Sequence, residues 1–235
     1  MPQGLSNIRN LSLKELQEAF VSRNEKSFRA KQVYEWLWKK NAASFDEMTN
    51  LSKDLRELLQ THFYIDHIQL QDQQISKDKT IKCAFTIEEG KVVEGVLIPT
   101  TSRMTACISS QVGCSLSCTF CATGRLKLLR NLSAGEIVDQ VVYLKNQAEE
   151  RYGQNLTNIV YMGMGEHDRI DLVRGHRQGR PVAQPQLLVA LEQTAIDQQA
   201  VAVVLYQVLG AGHCVGSAQK SDVDTHAAML VHSSL

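Results

Sequence analysis

Over the first 65 or so of the chain's 235 residues, apolar positions recur at helical spacing. Ser12-Leu13-Lys14-Glu15 has the form of a capping box, with Leu16 and Phe20 one turn apart behind it. Ala30, Val33, Tyr34 and Leu37 follow the i, i+3, i+4, i+7 pattern, and Trp36 and Trp38 lie beside that stripe. Ser44-Phe45-Asp46-Glu47 reads as a second box, and Ser52 stands where it caps a helix carrying Leu55, Leu58 and Leu59. The aromatic stripe is assigned to a core because it falls at helical spacing. Lys31, Lys39 and Lys40 are left outside, to solvate the helix or touch nucleic-acid backbone.

Between residues 66 and 100 the period changes to two. Ile81, Cys83, Phe85 and Ile87 alternate with Lys82, Ala84 and Thr86. Glu88-Glu89-Gly90-Lys91 is a turn, and Val92 to Ile98 returns, which predicts a hairpin. Val92, Glu94, Val96 and Ile98 share one face of the second strand. A carboxylate on such a face is unusual. If the face is dry, Glu94 titrates high and can take a proton near neutral pH. If the strand is an edge, Glu94 sits in water, and the pattern alone favours this second reading.

Residues 104–165 predict strand, helix, strand. Met104 to Ser109 is the first strand. Ser133-Ala134-Gly135-Glu136 is a third capping box, opening a helix with Ile137, Val138, Val141, Val142 and Leu144 on one side. Asn158 to Met162 is the second strand, followed by Gly163-Met164-Gly165-Glu166. A βαβ unit of this kind places both loops that follow its strands at the C-terminal ends of parallel neighbours, where such folds bind ligands.

Composition adds little until it is read locally. Lys+Arg and Asp+Glu both number 25, so overall charge selects no partner. From Thr101 to Arg130, however, four basic residues (Arg103, Arg125, Lys127, Arg130) occur with no acidic one. That suits a phosphate-bearing ligand or a solvated cationic surface. No apolar run reaches roughly 18 residues. The N-terminal residues lack a charged-then-apolar signal pattern, so a cytoplasmic location is expected.

The chemistry concentrates in Gly113-Cys114-Ser115-Leu116-Ser117-Cys118-Thr119-Phe120-Cys121. A C-x-x-x-C-x-x-C loop supplies three thiolates to an iron–sulfur cube that has four irons. The open iron is then free for a chelating ligand such as S-adenosylmethionine. A zinc loop with a distant fourth ligand, or three buried thiols, are the alternatives. Zinc sites usually pair their ligands and often include His, yet no His lies between His67 and His167. Six cysteines with three clustered do not read as a secreted disulfide framework.

These motifs together resemble the RlmN/Cfr family of radical-SAM RNA (adenine-C2) methyltransferases. The likeness is carried by Glu94-Gly95-Val96-Leu97-Ile98-Pro99 and by Cys107-Ile108-Ser109-Ser110-Gln111-Val112-Gly113-Cys114. The cluster loop and Tyr161-Met162-Gly163-Met164-Gly165-Glu166 extend it. Phe28-Arg29-Ala30-Lys31-Gln32-Val33-Tyr34 with Trp36-Leu37 resembles the family's helical accessory domain, and the RlmN branch is the closer one.

The resemblance implies an α/β fold: an incomplete radical-SAM partial (β/α) barrel preceded by a small helical accessory domain and a β-hairpin. The expected divisions are 1–65 for the helical domain, 66–100 for the hairpin, 101–166 for the start of the barrel and 167–235 for a divergent tail. It further implies that Cys114, Cys118 and Cys121 hold a 4Fe-4S cluster and that Gly165 and Glu166 contact S-adenosyl-L-methionine. Glu94 matches the family's proton acceptor, and Cys107 its cysteine that resolves an enzyme–RNA cross-link. The implied substrates are adenines of 23S ribosomal RNA and transfer RNA, with an electron donor of flavodoxin type.

After Glu166 the family pattern is lost. His167-Asp168 replaces the expected Pro-Leu, and residues 167–235 contain one aromatic, Tyr206. Cys214 lacks the surroundings of the family's methyl-carrying cysteine and is not assigned that role. The tail reads as truncated, frameshifted or alternatively assembled, so the chain is expected to be catalytically incomplete. A non-catalytic RNA-binding remnant and a small zinc-binding protein are the alternatives.

Overall fold

The structure is a computed structural model that describes residues 5–114 and 123–161. Along the described chain run β1 (Ser6–Asn7), α1 (Leu13–Val21), α2 (Ser27–Lys39), α3 (Lys53–His62) and β2 (Phe63–Tyr64). Then come β3 (Gln69–Ile75), β4 (Ile81–Thr86), β5 (Val92–Pro99), β6 (Met104–Ile108) and β7 (Gln111–Val112). The last elements are β8 (Arg130–Asn131), α4 (Ala134–Tyr152) and β9 (Asn158–Tyr161).

The N-terminal helices form where the apolar periodicity places them. Ser12 and Glu15 close their capping box reciprocally, and Ser52 accepts from the Leu55 amide at 3.4 Å. The Ser44 box is different. Glu47 reaches back to the Ala43 amide, but the Ser44 hydroxyl caps no backbone amide, and only one 3-10 turn, Phe45–Glu47, follows. Ala30, Val33, Tyr34, Leu37 and Trp38 of α2 are buried with Leu16 and Phe20 of α1 and Leu55 and Leu59 of α3.

The five-stranded sheet has the order β3-β4-β5-β6-β9. Its first three ladders are antiparallel, and β6 pairs β9 in parallel, with α4 as the crossover. The hairpin strands β4 and β5 are therefore continuous with the βαβ unit in one sheet. One face carries Ile81, Cys83, Phe85, Val93, Leu97, Ala106, Ile108 and Ile159, all buried, and packs on Ile137, Val138, Val141 and Leu144 of α4. Burying each of those four α4 side chains contributes about 1.5–3 kcal/mol before entropy is counted. Gly95 lets the helix come this close: a Cβ there sits 3.0 Å from the Phe85 ring and 3.4 Å from Leu144 Cδ1.

The N-terminal segment is tied to α4 by a buried ionic cluster as well as by a shared apolar core. Arg9 donates to Asp139 Oδ1 at 2.8 Å and Oδ2 at 2.9 Å, and to the Asp66 carbonyl at 2.9 Å. Its guanidinium lies 5.1 Å from the Trp38 ring. His67 Nδ1 lies 3.1 Å from both Asp139 oxygens, and the Ile68 amide donates to Oδ2 at 3.1 Å. Burial alone acts to raise the Asp139 carboxyl, but the His67 hydrogen bond and the Arg9 charge outweigh it and hold the group below its usual value.

Candidate functional site

The face of the sheet opposite α4 carries Lys82 and Ala84 from β4, Glu94, Val96 and Ile98 from β5, and Cys107 from β6. Val160 joins them from β9. Val96, Cys107 and Val160 stand side by side through the register Val96↔Cys107 and Cys107↔Val160, and Ile98 packs on them. The predicted sharing of one face by Glu94, Val96 and Ile98 holds. The edge-strand reading of Glu94 does not, because β5 lies between β4 and β6. Nor is the face dry at this point: the Glu94 side chain is 27% exposed, and Lys82 Nζ lies 2.8 Å from its Oε1. Glu94 is an ion-paired, half-buried carboxylate one register step from Cys107.

Two residues to which the motifs give no role fix the end of β6. Ser109 is fully buried, and its hydroxyl donates to the Glu94 carbonyl at 2.7 Å. The Ser109 amide donates to Gln140 Oε1 at 2.9 Å, and Gln140 Nε2 donates to the Ser109 carbonyl at 3.1 Å. Gln140 thus satisfies both backbone groups where the strand stops, so neither is orphaned in the interior. Its signal in the sequence is a polar residue beside the apolar stripe of α4, which by itself reads as solvent-facing.

Beyond Ser109 the chain enters the cysteine loop, and its base is closed. Gln111 pairs with Asn131 and Val112 with Arg130 across β7 and β8. The Leu129 amide donates to the Val112 carbonyl and the Leu132 amide to that of Ser110, each at 2.9 Å. Gly113 turns the chain with φ +74°, and a Cβ on it falls 2.2 Å from the Lys127 carbonyl oxygen. Only glycine satisfies both demands. Cys114 follows, half-buried. Cys118, Cys121, Gly165 and Glu166 lie outside the described residues, as does Cys214.

Arg130 leaves the predicted basic loop. It forms a bidentate pair with Glu136, at 2.8 Å to each carboxylate oxygen, while Glu136 completes the capping box with Ser133. The Glu136 hydrogen bond raises the Arg130 pKa further, against the opposing effect of burial. This guanidinium is committed to holding β8 on the first turn of α4 and is not offered to a phosphate. The same α4 segment therefore holds three things: Glu136 the loop base, Asp139 the helical domain, and Gln140 the end of β6.

Glu94 and Cys107 lie toward the C-terminal end of β6, and Cys114 follows β7, farther along the chain. Among the described residues no three metal-ligating side chains converge, and no helix is long and apolar enough to cross a membrane.

Residues 6–65 match the family model of the ribosomal RNA large subunit methyltransferase N-terminal domain. A probable dual-specificity RNA methyltransferase RlmN of Cytophaga hutchinsonii is 58% identical over 159 residues, which are 68% of this chain and 44% of that protein. The corresponding protein of Christiangramia forsetii is 54% identical over 160 residues, covering 68% and 46%. Among solved structures, a radical SAM methyltransferase from Sphaerobacter thermophilus superposes with a TM-score of 0.63 at 32% identity, over 90% of this chain and 57% of that one. The chain spans about half the length of the curated relatives it matches. Residues 6–65 thus belong to the RlmN N-terminal domain family, and over about two thirds of its length the chain is related to the RlmN RNA methyltransferases.

Proposed function

We propose that this chain forms the accessory domain and the first part of the radical-SAM domain of an RNA methyltransferase acting on C2 of adenine. Its substrates on this reading are 23S ribosomal RNA and transfer RNA. The proposed layout is a helical domain over 1–65, a hairpin extension over 66–100, the first βαβ unit of a partial barrel over 101–166, and a divergent tail over 167–235. The reading is supported by Glu94 and Cys107, which share one face toward the C-terminal end of β6, and by β7, which leads from there into the three-cysteine loop.

The donor set fits a 4Fe-4S cluster: three cysteines in one loop, with Gly113 bending the chain at its entry. Cys114, Cys118 and Cys121 would hold it, with S-adenosyl-L-methionine contacted by Gly165 and Glu166. When bound, this pair supplies one-electron cleavage of the sulfonium, driven by a donor of flavodoxin type. The chain's own residues do the rest. Glu94 accepts a proton at its carboxylate, with Lys82 holding that group toward the open face. Cys107 lies on the same face, diagonal to Glu94 in the register, and packs against Val96 and Val160. Ser109 and Gln140 keep the two strands in register.

A second reading is a non-catalytic RNA-binding remnant, because after Glu166 the residues His167-Asp168 depart from the family pattern. Anaerobic reconstitution with iron and sulfide tests the first. About four irons and four acid-labile sulfides per chain are expected, with absorbance near roughly 400 nm, and Cys118→Ala abolishes both while sparing the N-terminal helices. About one zinc and no sulfide overturns the cluster. A loaded cluster with RNA bound and no methylated adenine identifies the remnant.

A further inference from the structure

Helical spacing assigns Tyr34, Trp36 and Trp38 of α2 to a core: the structure buries Tyr34 and Trp38, packs Trp36 half-buried against that core, and leaves Phe28, outside the stripe, 51% exposed. Phe28 and Trp36 each carry a cation. The Arg29 guanidinium lies 5.1 Å from the Phe28 centroid, and Lys40 Nζ lies 3.4 Å from that of Trp36. The two rings are eight residues apart, so about 12 Å along the axis and roughly 80° around it.

The charge on the same helix is one-sided. Lys26, Arg29, Lys31, Lys39 and Lys40 face a single acidic residue, Glu35, within a chain whose formal charge is zero. Glu35 is already paired with Lys39 at 3.4 Å. Lys26, Lys31, Lys39 and Lys40 are all exposed. At the N-terminal end Lys26 occupies the cap position and makes no side-chain cap bond, which adds the positive end of the helix dipole to that charge.

We propose that the solvent face of α2 is an RNA-docking surface. Phe28 stacks on an unpaired base, Trp36 with Lys40 borders a second, and Lys26, Lys31 and Lys39 follow the phosphates between them. Basic side chains interleaved with accessible aromatic faces suit single-stranded RNA: each base offers a π-face and each phosphate a charge. An acidic protein surface matches the lysines but leaves Phe28 without a stacking partner. The roughly 20 Å from Lys26 to Lys40 accommodates a short looped segment. This surface rests on the RNA-methyltransferase reading for its ligand, but it requires neither a cluster nor turnover.

The test is fluorescence anisotropy of the full chain with a labelled hairpin RNA of about 30 nucleotides, titrated between roughly 50 and 200 mM salt. Phe28→Ala weakens binding about tenfold, since stacking on one aromatic is worth that much. Phe28→Tyr restores it. Lys31→Gln with Lys40→Gln flattens the log–log salt slope by about 1.4, some 0.7 for each single-strand phosphate no longer neutralised. These side chains are outside the core, so thermal unfolding stays unchanged. Wild-type affinity and slope in all these variants, with the parent chain binding RNA, overturns the surface and leaves the methyltransferase reading intact. A parent chain that loads a cluster yet binds no hairpin also overturns it. So does loss, in the same variants, of binding to phosphatidylserine vesicles while RNA binding persists. A chain that binds RNA through α2 but loads no iron–sulfur cluster sinks the radical-SAM reading alone.

Discussion

Replacing Arg9 by Met removes the cation that ties the helical domain to α4. The side chain is 1% exposed and Asp139 6% exposed, so water does not take the place of the lost bonds. Breaking a buried pair from one side costs about 3–5 kcal/mol, because the remaining charge stays buried. Asp139 keeps the Ile68 amide and His67, which places Arg9→Met near the lower end, about 3 kcal/mol. Asp139→Asn strands the guanidinium and is expected to cost as much or more. With a urea slope of about 2 kcal/mol/M, 3 kcal/mol moves the unfolding midpoint by about 1.5 M. Urea unfolding followed by far-UV circular dichroism measures this. Arg9→Met with Asp139→Leu should be less destabilised than the sum of its parts, since no unpaired charge remains. Single-variant losses under about 1 kcal/mol, or strict additivity, refute the latch. The pH dependence has a fixed sign. The Asp139 pKa is depressed in the folded chain, so its stabilisation is complete above the ordinary carboxylate value of about 4 and is lost as pH falls from there through the lower folded value.

Three further outcomes follow from the site. Gly113→Ala forces a Cβ to within 2.2 Å of the Lys127 carbonyl, so the loop base must open. Reconstituted iron and sulfide should fall sharply while helical circular dichroism persists; undiminished loading counts against a rigid loop base. Gln140→Leu takes away the side-chain amide that bonds both the Ser109 amide and its carbonyl in a fully buried position, for an expected loss of about 2–4 kcal/mol in urea unfolding. A loss near zero there means that other groups finish β6. Glu94→Gln should change the melting behaviour little, since the Lys82 pair is partly exposed and worth at most about 1 kcal/mol. On the proposed mechanism it impairs methylation and spares cleavage of S-adenosylmethionine, and equal loss of both assigns Glu94 to the fold.

Much of the described fold is legible because periodicity survives in this chain. Leu16, Phe20, Ala30, Val33, Leu37, Leu55 and Leu59 stand at helical spacing and are all buried. Ile81, Cys83 and Phe85 alternate with their polar neighbours and line the helix-facing side of the sheet. The Ser12 and Ser133 boxes mark their helices because the interaction they encode is local. Strand β3, Gln69-Leu70-Gln71-Asp72-Gln73-Gln74-Ile75, is not legible as a strand. It is a largely exposed edge held by backbone pairing to β4, so burial imposes little alternation on it.

The site divides in the same way. Cys114 and Glu94 stand out in the sequence because spacing records what a loop can chelate and which residues share a strand face, whereas Cys107 is marked only by the family resemblance. Whether Glu94 stands in water or in a core depends on the neighbours of β5, and those come from β4 and β6. Arg130 counts as a free cation until Glu136 is seen beside it, Gln140 reads as a solvent-facing polar residue, and Arg9 and Asp139 give no signal at all. Arg9 and Asp139 are 130 residues apart and Ser109 and Gln140 are 31 apart, beyond the reach of any local pattern. The sequence alone determined which segments coil, which extend and which loop carries three thiols, since those depend on interactions within a few residues. Only the tertiary structure decided which charges are paired, which aromatics face outward and which helix binds the parts together, because charge and burial depend on neighbours brought together through space.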